Sequence, residues 1–185
     1  MQSFVHKQHG ISLIEVMVTV FILSVGLLGM AGLQSRLQQS EMEAYQRSQA
    51  LLLLNDMANR IATNRSKAPN YVTNMAGIGV GVTCEALTIT QQQRDSGEWC
   101  NALKGAGETR AGNNVGAMIG GRGCIEGLSG GQYRISVAWQ GLTPLTAPTA
   151  STCGANSYNG PAGSSCSGDV CRRVITTIVT VANLK

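Results

Sequence analysis

Residues 9–16 read HGISLIEV, and the fold is decided at this junction. A polar opening ends on Gly10, an apolar run begins at Ile11, and Glu15 is the only charge in the 23 residues of 11–33. At about 1.5 Å per residue, a helix of that length spans the roughly 30 Å hydrocarbon core of a bilayer. The segment therefore qualifies as a membrane helix. A charge near the bilayer centre costs about 2.5 to 3.5 kcal/mol, and less near an end, so Glu15 calls for a compensating role.

Outward from the junction, residues 34–65 contain neither proline nor glycine. Leu33, Leu37, Ala44, Leu51, Leu54, Met57, Ala58 and Ile61 recur at three- and four-residue steps, with Arg36, Gln39, Glu43, Arg47, Asp56 and Arg60 between them. This pattern predicts an amphipathic half, residues 34–66, continuing the membrane half, residues 11–33, as one helix. Asn64, Arg65 and Lys67 followed by Pro69 mark its end. Such a rod would measure on the order of 80 Å. Gly26, Gly29 and Gly32 either let helices approach closely or weaken the rod locally.

A secretory signal discards its apolar core at small residues that follow it. Gly29-Met30-Ala31 could imitate such a site, but the run is long, Glu15 interrupts it early, and the helical pattern does not stop at its end. Cleavage after Gly10 would instead keep the helix and make Ile11 the new amino terminus.

Of the 185 residues, about 150 follow the membrane segment, enough for one globular domain, residues 67–185. The net charge of +4 is weak and its basic residues are scattered, which argues against nucleic acid. All six cysteines lie beyond the apolar run. An even count in a glycine-rich domain points to disulfides and an oxidising compartment. No C-x-x-C occurs and both histidines, His6 and His9, precede the membrane segment, so no metal site is expected. Six cysteines permit about 15 pairings; the candidate set is Cys84–Cys100, Cys124–Cys171 and Cys153–Cys166. A disulfide-bonded head must lie across the membrane from residues 1–10.

After Pro69, short segments alternate with glycine. Residues 80–83 and 86–90 are candidate strands, or a strand and a short helix, and residues 91–101 a candidate helix. In 132–140, Tyr133, Ile135, Val137 and Trp139 alternate with Arg134, Ser136 and Ala138, the pattern of a half-buried strand. Residues 174–181 are rich in β-branched side chains and read as a last strand. Between them, residues 142–171 form a long loop with Pro144, Pro148, Pro161 and three cysteines. The expected fold is α+β, a small antiparallel sheet packed on the apolar stripe of the helix.

Gly77-Ile78-Gly79-Val80-Gly81 and Gly120-Gly121-Arg122-Gly123 fit no nucleotide fingerprint and read as surface turns. Trp99 and Trp139 suit core packing better than ligand binding. The sequon Asn64-Arg65-Ser66 carries no weight by itself. Without residues 1–10 the chain has no histidine, and Asp95, Glu98, Glu108, Glu126 and Asp169 form no recognisable pair. Neither an enzyme nor a cofactor is expected.

Gly10 before Ile11, Glu15 four residues later and an apolar run of about twenty residues resemble the leader and amino-terminal helix of type IV prepilins. Further on, residues 131–141 (GQYRISVAWQG) and 172–177 (RRVITT) are similar to strands of the PilV-type minor pilins, the pilus-modification group. The resemblance implies that a prepilin peptidase removes residues 1–10 by cutting between Gly10 and Ile11, then methylates the amine of Ile11. It implies a single-pass inner-membrane protein with a periplasmic head that later joins an extracellular pilus at its tip, with no nucleic-acid partner. Its implied partners are other minor pilins, the major pilin, the assembly platform and a tip adhesin. Implied too are a tip complex that initiates the fibre, and support of twitching motility and attachment. The alternatives are a pseudopilin of a type II secretion system and a tip-located adhesin. Two departures stand out: isoleucine opens the mature chain where phenylalanine is usual, and Gly32 stands where major pilins often place a helix-bending proline.

Glu15 then has two readings. The amine of Ile11 on a neighbouring subunit would pair with it and set axial register. Alternatively, Ser12-x-x-Glu15 is a capping box at a helix start.

Overall fold

The structure, a computed structural model, describes residues 10–85, 90–116 and 118–182. The chain divides into two compact units, Met1–Glu41 and Met42–Lys185. A single helix, α1 (Leu13–Thr63), begins in the first and ends in the second.

Within the first unit the apolar side chains of α1 are exposed, with none of the described residues covering them. Ile11, Leu13, Phe21 and Leu28 are all about three-quarters exposed, at 76, 77, 70 and 73%. Thr19 and Ser24 donate their hydroxyls to the carbonyls of Val16 and Val20, leaving few polar groups unsatisfied on this surface.

The second unit adds a short 3-10 helix (Arg65–Tyr71), β1 (Ile78–Gly79), α2 (Gln91–Leu103), β2 (Thr109–Arg110), β3 (Asn113–Asn114), β4 (Arg122–Gly127), β5 (Gln132–Gln140) and β6 (Arg172–Thr180). Four strands form an antiparallel sheet in the order β1-β4-β5-β6, and β2 with β3 forms a separate hairpin. Residues 80–83 lie outside any strand, and the expected strand at 86–90 falls largely outside the described residues.

The front face of the sheet packs on α1 and α2. Ala50, Leu54, Met57 and Ile61 of α1 join Trp99 and Leu103 of α2 and Ile125, Ile135, Val137 and Trp139 of the sheet. Each large apolar side chain fully buried there contributes about 1.5 to 3 kcal/mol. The buried stripe of α1 is Gln46, Ala50, Leu54, Met57 and Ile61, whereas Leu37 and Leu51 stay exposed at 55 and 44%. Leu54, Met57 and Ile61 of the expected stripe are buried and Ala58 packs beside them, but before Leu54 the stripe runs through Ala50 and the polar Gln46 rather than through Leu51 and Ala44. The helix ends at Thr63, and Pro69 sits inside the following 3-10 turn rather than beyond a helix reaching Arg65.

A polar cluster ties the end of α1 to α2. The Arg60 guanidinium bonds Asp56 (2.9 Å), Asp95 (3.1 Å) and Glu98 (2.6 Å). Burial disfavours its charged form, but the bonds to Glu98, Asp56 and Asp95 outweigh this and its pKa rises. The buried Tyr71 hydroxyl donates to Asp95 and accepts from Asn64 Nδ2. Burial, then the hydrogen bond to Asp95, pushes the Tyr71 pKa up to about 12. α2 opens with a capping box in which Thr90 and Gln93 exchange bonds of 3.2 and 3.1 Å.

The back face of the sheet is also covered. The alternation in β5 predicts an exposed face carrying Ser136 and Ala138, yet both are fully buried. Residues 142–171 lie across them: Ser151 Oγ meets Ser136 Oγ at 3.0 Å, and Tyr158 donates to the Gly120 carbonyl at 2.9 Å. The cover is clamped by Arg172, whose guanidinium bonds the carbonyls of Ser151, Cys153 and Pro148 and lies 3.2 Å from Asp169. Its start is held to α1, where Glu43 accepts from the backbone N–H of Leu142 (3.0 Å) and Thr143 (3.3 Å).

The disulfides are Cys84–Cys100, Cys124–Cys153 and Cys166–Cys171. The expected pairs Cys124–Cys171 and Cys153–Cys166 are therefore corrected. Strand order gives the reason for the first: Cys124 lies in β4 and Cys171 directly precedes β6, with β5 between them, so they are at least two strand spacings apart, about 10 Å. That exceeds the Cα separation of at most about 7 Å that a disulfide bridges. Cys124 instead points to the back face opposite Ser136, where the loop brings Cys153. With Cys124 joined to Cys153, the remaining partner of Cys166 is Cys171.

Candidate functional site

From Gly10 to Val16 the junction read from the sequence is exposed. Gly10, Ile11 and Ser12 precede the helix, which begins at Leu13. A Cβ at Gly10 would meet nothing within 4 Å. The fold itself makes no steric demand for glycine there, so any demand comes from what acts on the chain.

Glu15 lies in the first turn of α1 and is exposed. Its N–H donates to the Ser12 carbonyl at 3.0 Å, and Val16 N–H reaches the same oxygen at 3.3 Å. Among the described residues, no side-chain hydrogen bond joins Ser12 to Glu15, and no cation lies within ion-pair distance of the carboxylate. The reciprocal bonds of a capping box are thus not formed. What remains is a carboxylate on an apolar helix, close to the helix start, with its charge uncompensated among the described residues except by the helix dipole.

Gly26, Gly29 and Gly32 sit within the unbroken α1, and a Cβ at any of them would meet nothing within 4 Å. Among the described residues they leave a strip of helix backbone bare.

The other residues singled out by sequence are engaged in the head. Trp99 is fully buried and donates its indole N–H to the Leu53 carbonyl at 2.8 Å, and Trp139 is 4% exposed. Asn64 Nδ2, the atom a glycan would need, donates to Tyr71. Asp95 and Glu98 bond Arg60, Glu126 bonds Arg134, Asp169 faces Arg172, and Glu108 accepts from Tyr45. Val80-Gly81 and Gly120 lie in turns, as read, whereas Ile78-Gly79 forms β1 and Arg122-Gly123 opens β4, so each glycine-rich stretch is part turn and part packed sheet. Gly123 is required there because a Cβ would stand 2.2 Å from the Trp99 ring.

Two family models match. The Prokaryotic N-terminal methylation motif covers residues 5–31, and Type IV pilin Tt1218 covers residues 32–106. No curated protein and no solved structure matches the chain. The first match spans the junction and Glu15; the second runs from the middle of α1 through α2 and ends before β4.

Proposed function

The chain belongs to the type IV pilin family, and from that premise we propose that it is a minor pilin, a non-enzymatic subunit that joins other minor pilins in the complex initiating a pilus. It is held in the inner membrane by α1 with its disulfide-bonded head in the periplasm. A prepilin peptidase cuts between Gly10 and Ile11 and methylates the new amine. The mature chain then enters the fibre by way of the assembly platform, near the tip, where it supports twitching motility and attachment. The minor-pilin assignment is supported by the likeness of residues 131–141 and 172–177 to PilV-type subunits.

The observation that carries this reading is Glu15, which among the described residues has no ion-pair partner and is exposed on an apolar helix half whose side chains are exposed too. In hydrocarbon such a carboxylate is stabilised by a cation at equal depth. Processing creates one four residues away, the Ile11 amine. Pairing of Glu15 with the Ile11 amine of an adjacent subunit fixes the axial register of each incoming chain.

Glu15→Ala tests this in pilus-forming cells. Membrane insertion stays intact or improves, cleavage proceeds, and the amount recovered in sheared fibres falls. Normal recovery in fibres would overturn the register role.

A further inference from the structure

In the order β1-β4-β5-β6, β6 is an edge strand nine residues long, and the opposite edge, β1, has two. The register of β6 on β5 is unbroken over all nine residues, so no bulge bends the edge away. The bonds from Val181 N–H to Gly131 O and from Gly141 N–H to Cys171 O show that odd-numbered residues exchange hydrogen bonds with β5. By the two-residue period of a strand, the N–H and C=O groups of Val174, Thr176, Ile178 and Thr180 face outward. Among the described residues, none of these groups has a hydrogen-bond partner from another element.

Exposed edges are ordinarily blunted by lysine, proline, a bulge or a covering segment. Residues 174–182 contain no charge, no proline and no glycine, and Thr176, Ile178 and Thr180 are exposed beside the open backbone. Free main-chain donors and acceptors at strand spacing are completed by one kind of partner, another strand.

A second copy of this chain does not fit. Antiparallel pairing of two identical edges places a two-fold axis perpendicular to the sheet, which reverses every direction in its plane. Ala50, Leu54, Met57 and Ile61 of α1 pack along that sheet, so residues 42–63 of the two copies would run in opposite senses, which a fibre whose chains all enter in one axial sense does not accommodate. Parallel pairing of the same edges in register would set Arg172 and Arg173 beside their counterparts, a like-charge contact.

We propose that β6 is a docking edge that receives an extended, uncharged strand from a different polypeptide of the same assembly, extending the sheet by β-augmentation. The proposal rests on the assembly role above for the source of that strand. Recognition comes from up to four outward N–H and four outward C=O groups, with Ile178, 54% exposed, supplying apolar contact.

The test uses the full-length chain in pilus-forming cells, with a benzophenone amino acid placed at 176, 178 or 180 in turn. The expected adducts fall on one segment of a different protein, at residues two apart as the probe moves by two. Thr176→Pro removes an outward N–H without touching the ladder to β5, and Ile178→Lys places a charge at the edge. Each lowers adduct yield from the other probe positions by about tenfold or more, the effect of losing roughly one to two hydrogen bonds. Processing at Gly10 and the melting temperature of the purified chain stay unchanged. Adducts to a second copy of this chain, adducts without the two-residue period, absence of adducts, or yields unaffected by both variants would each overturn the proposal. Failure of the register reading is separate: it appears as normal fibre recovery of Glu15→Ala, whichever residues the probes reach.

Discussion

Replacing Cys124 and Cys153 together by serine cuts the covalent link between the sheet and the loop that covers its back face. The two residues are 29 apart in sequence, and the chain-entropy relation assigns a closed loop of that length about 3.5 kcal/mol of stabilisation. Cys166 and Cys171 are only 5 apart, and the same relation gives about 2 kcal/mol. At roughly 3 °C per kcal/mol for a unit of this size, the first double variant should melt about 10 °C below the parent chain and the second about 6 °C below. The assay is thermal unfolding of the full chain in detergent, paired with alkylation of free thiols without reduction. Because Cys124 and Cys153 are partners, their joint replacement leaves no free thiol. Under the pairing expected from sequence, the same replacement would strand Cys166 and Cys171. Two alkylated cysteines in that variant, or a larger loss of stability from the Cys166 and Cys171 replacement, would refute the reasoning.

Gly123→Ala should destabilise the head by about 2 to 3 kcal/mol, because the new Cβ meets the rigid Trp99 ring at 2.2 Å; differential scanning calorimetry reads this directly. Tyr71 has a folded pKa raised to about 12 from an unfolded value of about 10. Its contribution is present below the unfolded pKa and is lost as pH rises from about 10 to 12, so stability falls over that window. Tyr71→Phe should flatten this part of the curve in unfolding titrations at successive alkaline pH values. Gly10→Val should leave a longer, unprocessed protein in membranes, visible as the unshortened mass.

The two halves of α1 were readable for different reasons. The membrane half declares itself through uninterrupted apolar composition, and the head half through periodicity, though Gln46 hides the true phase by placing an amide in a buried position. Its Nε2 and Oε1 have no partner among the described residues, an outcome no pattern of hydrophobicity predicts. β5 and β6 were visible in alternation and β-branching. β4 was not, since Gly123 within it looks like a turn signal until the Trp99 ring that needs its missing side chain is known. The capping box of Thr90 and Gln93 was a legible start signal for α2 that the reading of residues 91–101 did not use. Cysteine pairing depends on which strands are neighbours, and sequence order does not contain that. The burial of Ser136 and Ala138 depends likewise on where the long loop comes to rest. Glu15 was legible as chemistry, because a lone carboxylate in an apolar helix is costly whatever the fold.

The most direct measurement is the intact mass and amino-terminal sequence of the mature protein purified from pilus-forming cells without reduction. The account predicts a chain beginning at Ile11, carrying one methyl group on its amine and six hydrogens lighter for three disulfides. A chain still beginning at Met1, or one cut within residues 29–31 so that the apolar helix is lost, would contradict it.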